Sequence, residues 1–223
     1  MYTVKSLIRK VTSKFSNLYH KQINTNNTAK KNVYRLDSPS KDISKNIDIE
    51  YKPLSEFDYT KYPLRLNLGC GFDIRPSYLN VDFQEFHNPD LVADIRKLDV
   101  LPSEVYEEIL AQDCLEHFSR CDAEPTLVEW SRLLKCGGIL KLRVPNVIGL
   151  LELFNWESKQ SVEDQKTLVQ CLYGTQAYNG DWHLNGFTKV LLEHYLDQAG
   201  FCNIEFDSLD HWLFEVVCEK KSL

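Results

Sequence analysis

From residue 64 onward the chain repeats one pattern: a short apolar run halts at a glycine, an aspartate or a proline, a turn or helical stretch follows, and another run begins. Residues 64–68 alternate apolar and polar and stop at Gly69. Residues 78–83 close around Asp82, residues 91–93 stop at Asp94, and residues 108–114 are centred on Ile109-Leu110-Ala111 and reach Asp113. Residues 139–144 are halted by Pro145. Each run reads as a strand. Helical spacing occupies residues 125–135, closed by Cys136-Gly137-Gly138, and residues 162–173 and 188–199, the last closed by Gly200. Residues 201–206 and 212–218 read as a final antiparallel pair of strands. Alternating strands and helices predict an α/β fold, a mostly parallel seven-stranded sheet with helices on both faces. Such sheets bind ligands beyond the carboxyl ends of their strands, where strand order reverses. Gly69, Gly71, Asp82, Asp94 and Asp113 all fall at predicted strand ends, which predicts one shared site.

The sharpest motif is Leu66-Asn67-Leu68-Gly69-Cys70-Gly71. Glycine at two positions lets the backbone take turn angles closed to other residues and approach a ligand. A dinucleotide fingerprint would continue to a third glycine and a helix. Ile74 stands at that third position and Pro76 follows, which weakens an NAD(P)-linked oxidoreductase reading.

This motif, followed by Tyr78-Leu79-Asn80-Val81-Asp82-Phe83, resembles the opening of class I S-adenosylmethionine (SAM)-dependent methyltransferases. Cys114-Leu115-Glu116-His117-Phe118, the run from Leu133 through Gly137-Gly138 to Leu140, and Val144-Pro145-Asn146 are similar to later pieces of the same family. Gly180-Asp181-Trp182-His183-Leu184-Asn185-Gly186-Phe187 is similar to a bacterial branch linked to surface-polysaccharide pathways. The resemblance covers residues 64–206 and implies a Rossmann-like fold with S-adenosyl-L-methionine as cofactor. It implies that Leu68, Gly69, Cys70 and Gly71 pass under the methionine part, that Asp82 accepts hydrogen bonds from the ribose hydroxyls, and that Asp94 accepts from the adenine amino group with Ile95 packed on the ring. Asp113 would face the methyl donor. Asp94 has an equal reading as the N-cap of a helix from Arg96, and Asp113 as the cap of a turn. One departure stands out. Between Gly71 and Leu79 there are too few residues for the usual crossover helix, so residues 72–77 must cross compactly.

Methyl transfer needs an in-line approach to an electrophilic carbon, so positioning supplies much of the acceleration. An oxygen nucleophile also gains from a base, and His117 and His183 are the candidates because histidine titrates near neutrality. Each has a structural alternative: a backbone-bonded histidine for His117, a lid-shaping loop histidine for His183. A binding module that kept the fold without turnover is the competing class. The acceptor expected is a small molecule or a saccharide-containing compound, bound by loops within residues 150–185.

Charge divides the chain. Its net charge is -6, yet residues 1–45 carry ten Lys/Arg against Asp37 and Asp42, leaving the remainder at -14. An acidic body argues against nucleic acid as a partner. In residues 1–20, Val4, Leu7, Ile8, Val11, Phe15 and Leu18 share one helical face among lysines and arginines, predicting a basic amphipathic helix suited to peripheral contact with an anionic membrane. Docking on the chain's own domain or on a partner, and a transit-peptide role, are the alternatives. Residues 21–60 read as a polar linker before the domain of residues 61–223. Seven cysteines, an odd number without C-x-x-C spacing, suit reduced thiols in a cytoplasmic setting at the inner face of the membrane, and no metal is expected. There is no apolar stretch of secretory-signal type and none long enough to cross a bilayer.

Overall fold

The computed structural model describes residues 32–35, 50–53 and 57–222; the helix read at residues 1–20 lies outside them. Nine strands form one sheet: β1 (Asn32–Arg35), β2 (Glu50–Pro53), β3 (Arg65–Leu68), β4 (Leu79–Asp82), β5 (Leu91–Val92), β6 (Tyr106–Gln112), β7 (Leu134–Pro145), β8 (Phe201–Leu209) and β9 (Leu213–Lys220). Their order is β2-β1-β5-β4-β3-β6-β7-β9-β8. The seven strands from β3 onward form the Rossmann-like sheet read from the sequence. All its neighbours pair in parallel except β9, which runs antiparallel to both β7 and β8. β1 and β2 lie within the stretch read as a linker and extend the β5 edge in parallel.

Alternation sorts the strand residues by face. Leu66, Leu68, Leu79, Val81, Ile109, Ala111, Leu140, Leu142 and Val144 enter the core. Two helices seal that face: α1 (Arg120–Leu133), through Ala123, Leu127 and Trp130, and α4 (Lys189–Gln198), through Leu192 and Leu196. The indole of Trp130, fully buried, donates to the carbonyl of Ile95 at 2.9 Å. Helices α2 (Val147–Leu153) and α3 (Val162–Tyr173) pack on each other around Leu150, Leu153 and Leu168, with Trp212 against them.

The opposite face of β3 and β4 carries Asn67 and Asn80, only 3% and 2% exposed. They do the work that a crossover helix would otherwise do. Asn67 Nδ2 donates to the Asp73 carbonyl at 2.7 Å and to Asn80 Oδ1 at 3.0 Å. Asn80 Oδ1 also accepts from Arg75 N at 2.8 Å, while its amide donates to Asp90 Oδ2 at 2.7 Å. Residues 69–78 therefore cross from β3 to β4 without an α-helix, as the short spacing predicts, and two buried side-chain amides satisfy the backbone groups of the loop.

Two boundaries differ from expectation. The helix read from Pro125 begins at Arg120, behind Ser119 as N-cap, and Pro125 sits inside it. The missing proline N–H matches the carbonyl of Cys121, on an exposed position of the helix where water can take it. Cys136-Gly137-Gly138 does not end that helix. It forms a bulge inside β7, where the register jumps from Tyr106↔Leu134 to Glu108↔Ile139 and Gly137 takes φ +70°.

Candidate functional site

β3 and β6 lie side by side at the centre of the sheet, and chain order reverses between them. Their carboxyl ends define the crevice where such sheets bind ligands. Gly69 leaves β3 at φ +62°, and a Cβ there would lie 2.6 Å from the Cβ of Cys114, just beyond β6. Backbone and packing both demand glycine. Gly71, at φ +49°, differs: nothing lies within 4 Å of where its Cβ would be. The turn is therefore closed against Cys114 at its first glycine and open at its second. Leu68 is buried in the core and Cys70 nearly so, and Cys70 N donates to the Val81 carbonyl at 3.2 Å, which ties the turn to β4.

Asp82 ends β4 directly beside the turn. Its Oδ2 accepts from Gly71 N at 2.8 Å and its Oδ1 from Gln84 N at 2.7 Å. His87 Nδ1 lies 3.1 Å from Oδ1 without an aligned hydrogen bond. Two protein donors leave acceptor capacity on this carboxylate. Asp94 is committed otherwise. No helix follows it; Oδ1 accepts from Arg96 N at 2.9 Å and both oxygens hold the Arg96 guanidinium. Burial works to raise its pKa, and the Arg96 hydrogen bonds outweigh that and hold it below the usual value. Ile95 packs in the core near Gly69 rather than standing free. Asp113, at φ +54°, forks onto Arg143, with Nε at 2.9 Å from Oδ1.

Residues 174–185 run over these strand ends. On the β4 side, Gln84 Nε2 donates to the Asn179 carbonyl at 2.6 Å, and Gly180 presses on the ring of Phe83, where a Cβ would come within 2.5 Å. Tyr178 meets the edges of Phe86 and His87. On the β6 side, Leu184 N and Asn185 N both donate to the carbonyl of Glu116, at 2.9 and 3.1 Å. The segment thus spans the crevice as a cover.

His183 belongs to this segment, and His117 lies against it. Their rings meet edge to face at 4.9 Å, and His117 Nδ1 is 3.1 Å from the Trp182 carbonyl. Burial, then the neighbouring His117, lowers the pKa of His183 to about 4, so its imidazole is neutral at physiological pH. Glu116, absent from the sequence-based candidates, is 1% exposed with Oε1 4.0 Å from His183 Nε2. Burial and then Asp113 push its carboxyl well above the usual range. The structure therefore gathers Gly69–Gly71, Asp82, His117 and His183 around the switch point, adds Glu116, and pairs Asp94 and Asp113 with arginines.

No protein-family model and no curated protein matches the chain. Solved structures do, at low identity. A SAM-dependent methyltransferase from Methanosarcina mazei superposes with a TM-score of 0.53 at 14% identity, over 71% of this chain and 92% of that one. A SAM-dependent methyltransferase from Archaeoglobus fulgidus gives 0.50 at 14%, over 73% and 90%. A protein from Bordetella parapertussis described as a possible exported protein gives 0.53 at 15%, over 72% of this chain but only 63% of that one, so this chain spans under two thirds of its length. At such identities the likeness is one of architecture. The strand order, the antiparallel β8–β9 hairpin and these superpositions together give the chain the Rossmann-like fold of class I SAM-dependent methyltransferases.

Proposed function

We propose that this protein transfers a methyl group from S-adenosyl-L-methionine to a small-molecule or saccharide-containing acceptor. The observation that carries this reading is the glycine turn at the switch point: Gly71 opens onto free space while its N–H is held by the Asp82 carboxylate. A nucleoside lying against that turn meets a hydrogen-bond acceptor for its ribose hydroxyls and a backbone close enough for contact. His117 beyond β6 and His183 in the covering segment stand on the side where an acceptor would arrive. The saccharide acceptor rests on the sequence resemblance of residues 180–187. The basic residues 1–20 would carry peripheral contact with an anionic membrane.

Isothermal titration tests the cofactor assignment. S-adenosylhomocysteine should bind in the micromolar range, and Gly71→Val, which fills the open space, should weaken binding by roughly tenfold or more while Asp82 remains in place. Binding of NAD instead, or no binding by folded protein, overturns the assignment. One observation favours a second reading, a non-catalytic module of this fold: Asp94 and Asp113 are already paired with Arg96 and Arg143. Cofactor binding without methyl transfer to any acceptor is its signature.

A further inference from the structure

We propose that Glu116, His117 and His183 form a binding site for one divalent first-row transition ion. These side chains each present one donor atom, and the three atoms lie within 4.8 Å of one another. The donor set is two imidazoles and one carboxylate, the combination that holds catalytic zinc or non-haem iron with positions left open for other ligands. Around an ion with bonds of about 2.0–2.1 Å, tetrahedral donors stand roughly 3.4 Å apart. The 4.0 Å between Glu116 Oε1 and His183 Nε2 closes to that with small side-chain rotations.

Two independent features point to a ligand. Glu116 Oε2 is buried and has no hydrogen-bond partner, although an unmet buried carboxyl oxygen is costly. One imidazole is also held from behind by backbone: His117 Nδ1 lies 3.1 Å from the Trp182 carbonyl. Metal-binding histidines characteristically donate their other ring N–H in this manner, which fixes the tautomer and aims the free nitrogen at the ion. The charged groups facing the cluster are Asp113, Arg143 and Asp181. Asp113 and Arg143 pair with each other, which leaves Asp181 as the facing group that favours a cation.

If the methyl-transfer reading holds, an acceptor hydroxyl on this ion would ionise more readily. Its proton would pass to solvent. The oxygen would then bond to the methyl carbon as the methyl–sulfur bond breaks, the sulfur keeping the electron pair.

The test uses the full-length protein and cobalt(II) alone. Stoichiometric cobalt should give visible absorption bands of an imidazole-ligated ion, and zinc should displace them. His117→Ala and His183→Ala should each weaken cobalt binding by at least about tenfold. Glu116→Gln, which keeps the buried shape, should do the same, and circular dichroism checks that each variant is folded. His194→Ala, remote from the cluster, should bind as the wild type does. Absence of cobalt bands in folded wild-type protein, or bands that survive all three substitutions, overturns the proposal. Titrating S-adenosylhomocysteine into the same samples separates the two readings: nucleoside binding without cobalt binding removes only the ion, and the reverse removes only the cofactor.

Discussion

At the scale of single residues, the two glycines of the turn carry different burdens. Gly69 is a packing requirement. An alanine there would set its Cβ 2.6 Å from that of Cys114 at a positive φ, so Gly69→Ala should cost roughly 2–3 kcal/mol, read from urea unfolding. Gly71→Ala meets no neighbour and should cost only about 1 kcal/mol, the strain of its left-handed backbone. Equal losses at the two positions would show that the contact with Cys114 is not what fixes the turn. Glycine and strand-end aspartate were legible because their chemistry is local: a positive φ and an acceptor at a turn. Glu116 was not. In Leu-Glu-His-Phe nothing local marks the glutamate as buried, and the residues 184 and 185 that bond its carbonyl lie far along the chain. Likewise, nothing near Asp113 announces Arg143, thirty positions away, as its partner.

At the scale of elements, strands are legible by alternation, and α3 and α4 by helical spacing; the structure adds Ser161 and Thr188 as their N-caps. Helix α2, seven residues long, is too short for its spacing to be legible, although Asn146, which accepts from Ile148 N at 3.1 Å, is a readable cap. The start of α1 at Arg120 lies before the run of helical spacing at residues 125–135. That helix holds the helix-free stretch between β5 and β6 in place. Glu129 accepts from Leu98 N at 2.7 Å and from Arg132, while Arg132 reaches the carbonyls of Leu98 and Leu101 at 3.1 Å. Burial works to raise the pKa of Glu129, but the Arg132 hydrogen bond and charge together with the Leu98 N–H outweigh it and hold the carboxyl below its usual range. A lowered folded pKa gives stability that is present above the unfolded value and lost as pH falls through the folded one. Glu129→Gln should therefore cost about 1 kcal/mol at neutral pH and progressively less as pH falls below the usual glutamate range, in unfolding experiments at each pH. A cost independent of pH would show that shape, not charge, joins α1 to this stretch.

At the scale of the whole molecule, charge asymmetry was legible from composition alone. Residues 1–45 should confer binding to anionic vesicles in co-sedimentation, salt-sensitive and lost on their deletion. Vesicle binding unchanged by that deletion removes the membrane role. Among the described residues, no helix is long and apolar enough to cross a membrane. The addition of β1 and β2 to the sheet edge could not be read from their sequences, because a four-residue strand such as Asn-Val-Tyr-Arg carries too little pattern to distinguish it from a loop. The crossing from β3 to β4, pinned by Asn67 and Asn80, has an electrostatic consequence. Nucleotide-binding sheets commonly aim the positive end of a helix macrodipole at a phosphate, and no α-helix follows the glycine turn here to do so. A pyrophosphate placed there would go without that compensation, whereas a sulfonium, itself positively charged, is spared a repulsion. The shortened loop thus withholds from an anion the compensation that a helix N-terminus would supply.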